Sequence, residues 1–314
     1  MKQRTICWVL AHEPYDLFLR AAEKFATEVS EKTHGEIAIE VLGLTEYTEK
    51  YLDGQQLDRY KIKDLVNGGT IEMSQMYTTT LGLTDPDMFV LDMPFLFRDH
   101  EHAARVLDGA VGQQLMDQLA EKSEIKGLAF TYSGGFRAIV GNKVIEAVED
   151  LAGMKVRVAH SPVAEATMRA FGAEPVSLPI EQLADALGDR TVDCGESTYP
   201  RIYSMRQNET ASVINHTEHS LFLTTIIMNK TLWNELTVEQ QKIFADAALA
   251  AAHIERAESL EDIDITRDRA VKDGIQVVDL SSTVKSQLQD LSAQVYTELD
   301  SFFQPGLIDQ IRRS

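Results

Sequence analysis

The sequence predicts an α/β fold built as two domains. Three observations predict it. The chain opens as strand, helix, strand. Thr5–Leu10 is apolar, Tyr15–Lys32 carries Phe18, Ala22, Phe25 and Val29 at helical spacing, and Gly35 admits a second strand, Glu36–Leu42. Met154-Lys155-Val156-Arg157-Val158 alternates, with Met154, Val156 and Val158 on one face and Lys155 and Arg157 on the other, as a short half-buried strand does. A helical pattern starting at Val238 continues past Asp268. That exceeds the common helix length and is long enough to reach beyond a single small domain. The 314 residues suffice for two domains and a sizeable core.

The elements follow in order. The first strand ends at Ala11-His12-Glu13-Pro14, polar groups at a strand's carboxyl end, where α/β folds hold their ligands. Asp64–Met73 reads as a helix end, a glycine stop at Gly68-Gly69 and a strand that leaves through Ser74-Gln75-Met76-Tyr77-Thr78. The aromatic cluster of Leu91–Phe97 reads as core. Ile125–Thr131 is an apolar strand, followed by Ser133-Gly134-Gly135-Phe136-Arg137. Gly153 and Ser161-Pro162 bound the alternating strand. A helical segment, Phe171–Pro179, Ala186-Leu187 and Val192–Ser197 come next. Ala211–His216 and Leu221–Asn229 read as strands joined through Thr217-Glu218-His219. After the long helix, a strand at Gln276–Leu280 and a helix from Ser281 to about Phe303 close the chain. No repeat or low-complexity linker interrupts it.

Composition narrows the function. Hydrophobic content is 44% and charged content 25%, as in ordinary globular proteins. No apolar run approaches the ~20 residues of a membrane-spanning helix, so no membrane insertion is expected. Net charge is -19, which argues against nucleic acid. It also means that any anion site must be local and arginine-built, since salt screens the overall field over ~10 Å. Cys7 and Cys194 lie in apolar strand patterns and are expected as buried free thiols. The sequence has no phosphate loop, dinucleotide fingerprint, His-Glu-x-x-His or nucleophile elbow. His12, His100, His102, His160, His216 and His219 are scattered, and neither a metal nor a cofactor is expected.

Arg157 is the residue to weigh. In an arbitrary strand such an arginine forms a solvent-facing ion pair worth little. Near a strand-to-helix crossover its permanently charged, planar fork matches a carboxylate. The surrounding words favour the second role. Leu151-Ala152-Gly153-Met154-Lys155-Val156-Arg157, Phe171-Gly172-Ala173-Glu174-Pro175-Val176 and Val192-Asp193-Cys194-Gly195-Glu196-Ser197 resemble the DctP family, the solute receptors of TRAP transporters. Lys32-Thr33-His34-Gly35, Gly69-Thr70-Ile71-Glu72-Met73, Met93-Pro94-Phe95-Leu96-Phe97 and Thr217-Glu218-His219 are similar to further elements of that family, so the likeness covers most of the chain.

The resemblance implies a two-domain, periplasmic-binding-protein-like fold with the long helix spanning both domains. It divides the chain into 1–133 plus 220–260, 134–219 plus 261–290, and a C-terminal helix over 291–314 packing back across the domains. It implies a monomeric receptor, not an enzyme, that captures a small organic acid in an interdomain cleft, closes about a hinge and hands the solute to the permease. The first residues enter a strand directly, which taken alone reads as cytoplasmic, whereas the resemblance implies export to the periplasm with the signal peptide absent from this sequence. Carried over position by position, Arg157 meets the carboxylate, and Arg137 either faces the solute or braces the hinge. Ser197 and Glu196 join from the same domain. His12, Glu13 and Tyr77 are the candidates in the first domain, and Ile180 stands where the family often has an aromatic residue. Ser197 replaces the family's usual Asn and shortens the reach, so the particular substrate does not carry over. Hydroxyls of a sugar acid, or an amine, suit His12, Glu13, Glu196 and Tyr77. The alternatives are a receptor for a zwitterionic or uncharged solute, or an enzyme on the same scaffold using Glu196 and His160 as acid and base.

Overall fold

The computed structural model describes residues 3–314. Its strands are β1 (Arg4–Leu10), β2 (Ile37–Gly43), β3 (Met73–Tyr77), β4 (Ile125–Phe136), β5 (Ala138–Gly141) and β6 (Lys155–Val158). They continue as β7 (Glu174–Ser177), β8 (Cys194–Ser197), β9 (Val213–His216), β10 (Leu221–Asn229) and β11 (Gln276–Asp279). The chain divides into two units. The first comprises Met1–Asp85, Ala104–Tyr132 and Leu223–Glu258, and the second Pro86–Ala103, Ser133–Phe222 and Ser259–Ser314.

The first unit is organised on the sheet β2-β1-β3-β10-β4. Strands β1, β2 and β3 are parallel, and β10 is antiparallel to β3. The opening helix spans Tyr15–Lys32, as the spacing of its apolar residues predicts. It buries Leu17, Phe18, Ala21, Ala22, Phe25 and Val29, a one-sided stripe that leaves water by packing on the sheet and on Phe244. Phe25 stands edge-on to Trp8 at 5.2 Å and to Phe244 at 5.4 Å, a favoured aromatic geometry.

The second unit is organised on β11-β9-β5-β8-β6-β7. Strand β8 lies between β5, its antiparallel neighbour, and β6, its parallel one. Ile139, Val156, Val158, Met168, Phe171 and Leu288 form one apolar cluster, and Ala138, Val140, Leu183, Tyr199 and Ile214 another. Alternation along β5 sends Ile139 to the first and Ala138 and Val140 to the second, so both faces of this sheet are covered. The helix after β6, Pro162–Ala170, begins as its sequence directs: Ser161 Oγ accepts from Ala164 N at 3.2 Å, and Pro162 occupies the first turn.

The long helix is continuous from Val238 to Lys272 and passes from the first unit to the second after Glu258. Strand β4 runs past the expected Thr131 to Phe136. The C-terminal helix ends at Leu299, and a separate helix occupies Leu307–Arg313. Pro305 and Gly306 (φ 80°) account for that break, since neither continues a helix.

Besides shifts of one to three residues at its other boundaries, the division differs from the sequence expectation in two stretches. Residues 86–103 group with the second unit because Asp92 pairs with Arg137 and Ser161, and the Phe95 ring lies 6.5 Å from that of Phe171. Residues 291–314 group with the second unit as well. Tyr296 Oη donates to Pro94 O at 2.8 Å, and the His102 ring meets Ile311 O at 2.8 Å. Cys7 and Cys194 are buried free thiols, as their apolar contexts predict.

Candidate functional site

In the second unit, pairing brings the carboxyl ends of β6 and β8 together. Arg157 pairs in register with Gly195, while Ala138 pairs with Ser197 and Ile139 with Glu196. In-register neighbours share a face and successive residues alternate. Arg157 and Ser197 therefore lie on one face, and Glu196 on the other, to which Arg137 at the entry to β5 also belongs. Glycine at 195 follows from this closeness. A Cβ there would lie 2.6 and 2.8 Å from the Leu183 methyls and 3.2 Å from Arg157 Cβ.

Arg157 does not face bulk solvent, for it is only 6% exposed, and its Nε donates to Leu178 O at 2.8 Å. Arg137 is buried too. Its Nη1 donates to Asp92 Oδ1 at 2.6 Å and to Ser220 Oγ at 3.1 Å, and its guanidinium carbon lies 4.2 Å from the Phe222 ring centre. Burial works against its charge, but Asp92 and Glu196 outweigh that and raise its pKa.

Glu196 is buried, with Oε1 2.9 Å from His219 Nε2, while His219 Nδ1 lies 2.7 Å from Thr217 Oγ1. Burial disfavours the charged form of Glu196. The His219 hydrogen bond and the positive charges of Arg137 and Arg157 outweigh it and hold the carboxyl below its ordinary range. Glu196 Oε2 and Ser197 Oγ are enclosed without a hydrogen-bond partner among the described residues. Polar atoms left so are costly and mark places where a further group is wanted.

The first unit gathers His12, Glu13 and Tyr77. The rings of His12 and Tyr77 are 4.8 Å apart, Tyr77 Oη donates to Glu13 O at 2.8 Å, and Glu13 Oε2 accepts from Tyr15 N at 2.9 Å. A cavity of ≈ 300 Å³ opens beyond the carboxyl ends of β1 and β2. His12, Glu13, Tyr15, Glu46 and Arg59 contribute to its wall.

Four of the sequence candidates (Arg157, Arg137, Glu196 and Ser197) thus lie at one end of the second unit's sheet, two on each face, and three gather in the first. Ile180 lies two residues beyond Leu178, whose carbonyl accepts from Arg157 Nε. It begins a short 3₁₀ turn and belongs to the apolar cluster of Leu183 and Ala186, where it is 7% exposed. Glu196 and His160 do not pair as an acid and a base: His160 Nδ1 meets Ser177 Oγ at 2.7 Å, and Glu196 meets His219. Sequence reasoning passed over Asp92, His219 and Arg59. A charged residue inside the apolar run Met88–Phe97 must find a buried partner, and that signal marks Asp92.

The chain is 29% identical over 259 residues to the 2,3-diketo-L-gulonate-binding periplasmic protein YiaO of Escherichia coli, covering 82% of this chain and 76% of that one. Its fold superposes on a TRAP periplasmic solute-binding protein of Polaromonas sp. JS666 bound to D-erythronate, with TM-score 0.86, 27% identity, and 99% and 98% of the two chains covered. It superposes also on a succinate-bound counterpart from Sulfurospirillum deleyianum, with TM-score 0.84, 25% identity and 99% of both chains covered. Residues 11–301 match the model of bacterial extracellular solute-binding protein family 7, DctP, and the chain belongs to that family of solute receptors, which are not enzymes.

Proposed function

We propose that this chain is a periplasmic receptor that takes a small organic acid by its carboxylate on Arg157 and delivers it to a TRAP membrane permease. One observation carries the reading. Arg157 is a buried guanidinium at the carboxyl ends of parallel strands, beside a glycine that clears room for it and a serine hydroxyl with no partner among the described residues. A guanidinium in such a place can meet a carboxylate with its planar fork. The solutes named for the relatives, diketogulonate, erythronate and succinate, are all carboxylates.

In this reading Ser197 and Arg137 complete the carboxylate's shell, and Glu196 sets the charge around them. His12, Glu13 and Tyr77 meet the solute's hydroxyls. Among the described residues, no helix is long and apolar enough to cross a membrane.

The test is a thermal-shift series with D-erythronate, D-glucuronate and succinate on the wild type and on Arg157→Ala. A binder stabilises the folded state by mass action. Removing a buried, charge-paired donor costs ~3 kcal/mol, or ~100-fold in affinity. Stabilisation undiminished in Arg157→Ala refutes the assignment.

A further inference from the structure

Arg137 is held by one corner only. Its hydrogen bonds to Asp92 Oδ1 and Ser220 Oγ both leave from Nη1. The Phe222 ring lies 4.2 Å from its guanidinium carbon. Its Nε and Nη2 donate to none of the described residues, yet neither is among the polar atoms sealed from solvent without a partner. The Nε–Nη2 edge of a guanidinium is one of the two that meet a carboxylate with parallel hydrogen bonds.

Asp92 itself is firmly placed. Its second oxygen, Oδ2, accepts from Ser161 Oγ at 2.9 Å, and the same Ser161 Oγ caps the helix that begins at Pro162. Three residues on, Phe95 takes a left-handed backbone conformation, φ 51°, in which its N–H donates to His219 O at 2.7 Å. A bulky residue at positive φ is held there by its surroundings. The segment is thus pinned to Arg137 at one point and to the backbone of Glu196's partner at another.

We infer that Asp92 is a positioning residue for solute capture, holding Arg137 by Nη1 so that its Nε–Nη2 edge is presented to a solute oxygen. This rests on the proposed function, with Arg157 as the carboxylate anchor, and goes beyond it by assigning a division of labour. Asp92 offsets the charge of Arg137, which leaves Arg137 to act as a directional donor. Arg157 supplies the attraction.

The experiment is titration calorimetry with whichever of D-erythronate, D-glucuronate and succinate stabilises the wild type most. Asp92→Asn keeps an oxygen for Arg137 and an amide for Ser161, and is expected to bind within about threefold of wild type. Asp92→Ala loses both contacts and is expected to bind ~10- to 100-fold more weakly. In an Arg137→Ala background, Asp92→Ala is expected to add nothing. A merely structural Asp92 would lower the melting temperature and leave affinity unchanged, or weaken binding equally with and without Arg137; either result overturns the inference. A readout free of these variants is the Arg137 Nε–H resonance in the wild type, assigned with Arg137→Lys. It is expected to move on adding the acid, and a stationary signal at saturation refutes the presented edge. Failure of all three acids, or binding that survives Arg157→Ala, overturns the proposed function and this inference with it.

Discussion

Glu255 offers the sharpest test of the fold's electrostatics. It lies on the long helix, fully buried, with Oε1 and Oε2 at 2.8 and 3.0 Å from Gln75 Nε2. That same amide nitrogen also faces Thr131 Oγ1 at 2.8 Å and Thr224 Oγ1 at 2.9 Å, while Gln75 Oε1 is enclosed without a partner. Two amide hydrogens cannot serve four acceptors. A proton on Glu255 eases the demand, because only one of its two oxygens then needs a donor from Gln75 Nε2. Burial pushes the Glu255 pKa well above its ordinary 4.5, against the opposing pull of Gln75, Thr131 and Arg256. Arg256 gives little relief, since it is committed to both oxygens of Asp108 at 2.8 and 3.0 Å.

The sign follows from linkage. A carboxyl whose folded pKa lies above its unfolded one favours folding fully below the unfolded value, and that contribution is lost as pH rises towards the folded value. Glu255→Gln removes the loss and supplies a neutral isostere. The stability of the variant relative to wild type should therefore climb by ~1.4 kcal/mol per pH unit from about pH 5 upward until the folded pKa is reached. Urea unfolding of both proteins at pH 5, 6 and 7 measures it. A difference constant across that range refutes a protonated Glu255.

Two further variants test other parts of the argument. Gly195→Ala places a methyl 2.6 Å from Leu183 and 3.2 Å from Arg157 Cβ; calorimetry should show ~10-fold weaker solute binding, as expected when a charge-assisted contact is displaced, and unchanged affinity would uncouple Gly195 from Arg157. Glu218 is held at about pKa 2, chiefly by its hydrogen bond with His216, which with Lys285 outweighs burial. Its contribution is present above the ordinary 4.5 and fades as pH falls towards 2. The side chain is 38% exposed, so after solvent screening Glu218→Gln should cost ~1 kcal/mol at pH 7 and nothing near pH 2, read by urea unfolding.

How much of this was legible in the sequence depends on the kind of signal. The alternation of Met154–Val158 located β6 and flagged Arg157, because a period of two survives in the order of residues. It did not reveal that Arg157 is buried, since both faces of that sheet are covered and polar alternation ordinarily marks a wet face. Asp92 was hidden in a run read as aromatic core, and its partners Arg137 and Ser161 are far along the chain. Such pairing is a property of the folded topology and leaves no local trace. Glu255 was more accessible. Phe244, Ala248, Ala251, Ala252, Glu255 and Ser259 follow helical spacing, and all are buried. An acidic residue continuing an alanine stripe had to be inside, and neutral or paired.

Net charge illustrates the same limit from the other side. A chain of formal charge -19 would be expected to repel an anion. Yet Arg137, Arg157 and Arg201 are buried in the second unit, 3%, 6% and 3% exposed, alongside only three buried carboxylates, Asp87, Asp92 and Glu196. Most of the acidic residues lie on the surface, where salt screens them within ~10 Å, while charges out of water interact at much lower effective dielectric. A guanidinium inside the fold therefore outweighs many carboxylates outside it. Which small anion an acidic protein binds is decided by which few charges folding takes out of water, and the sum over the sequence does not reveal those.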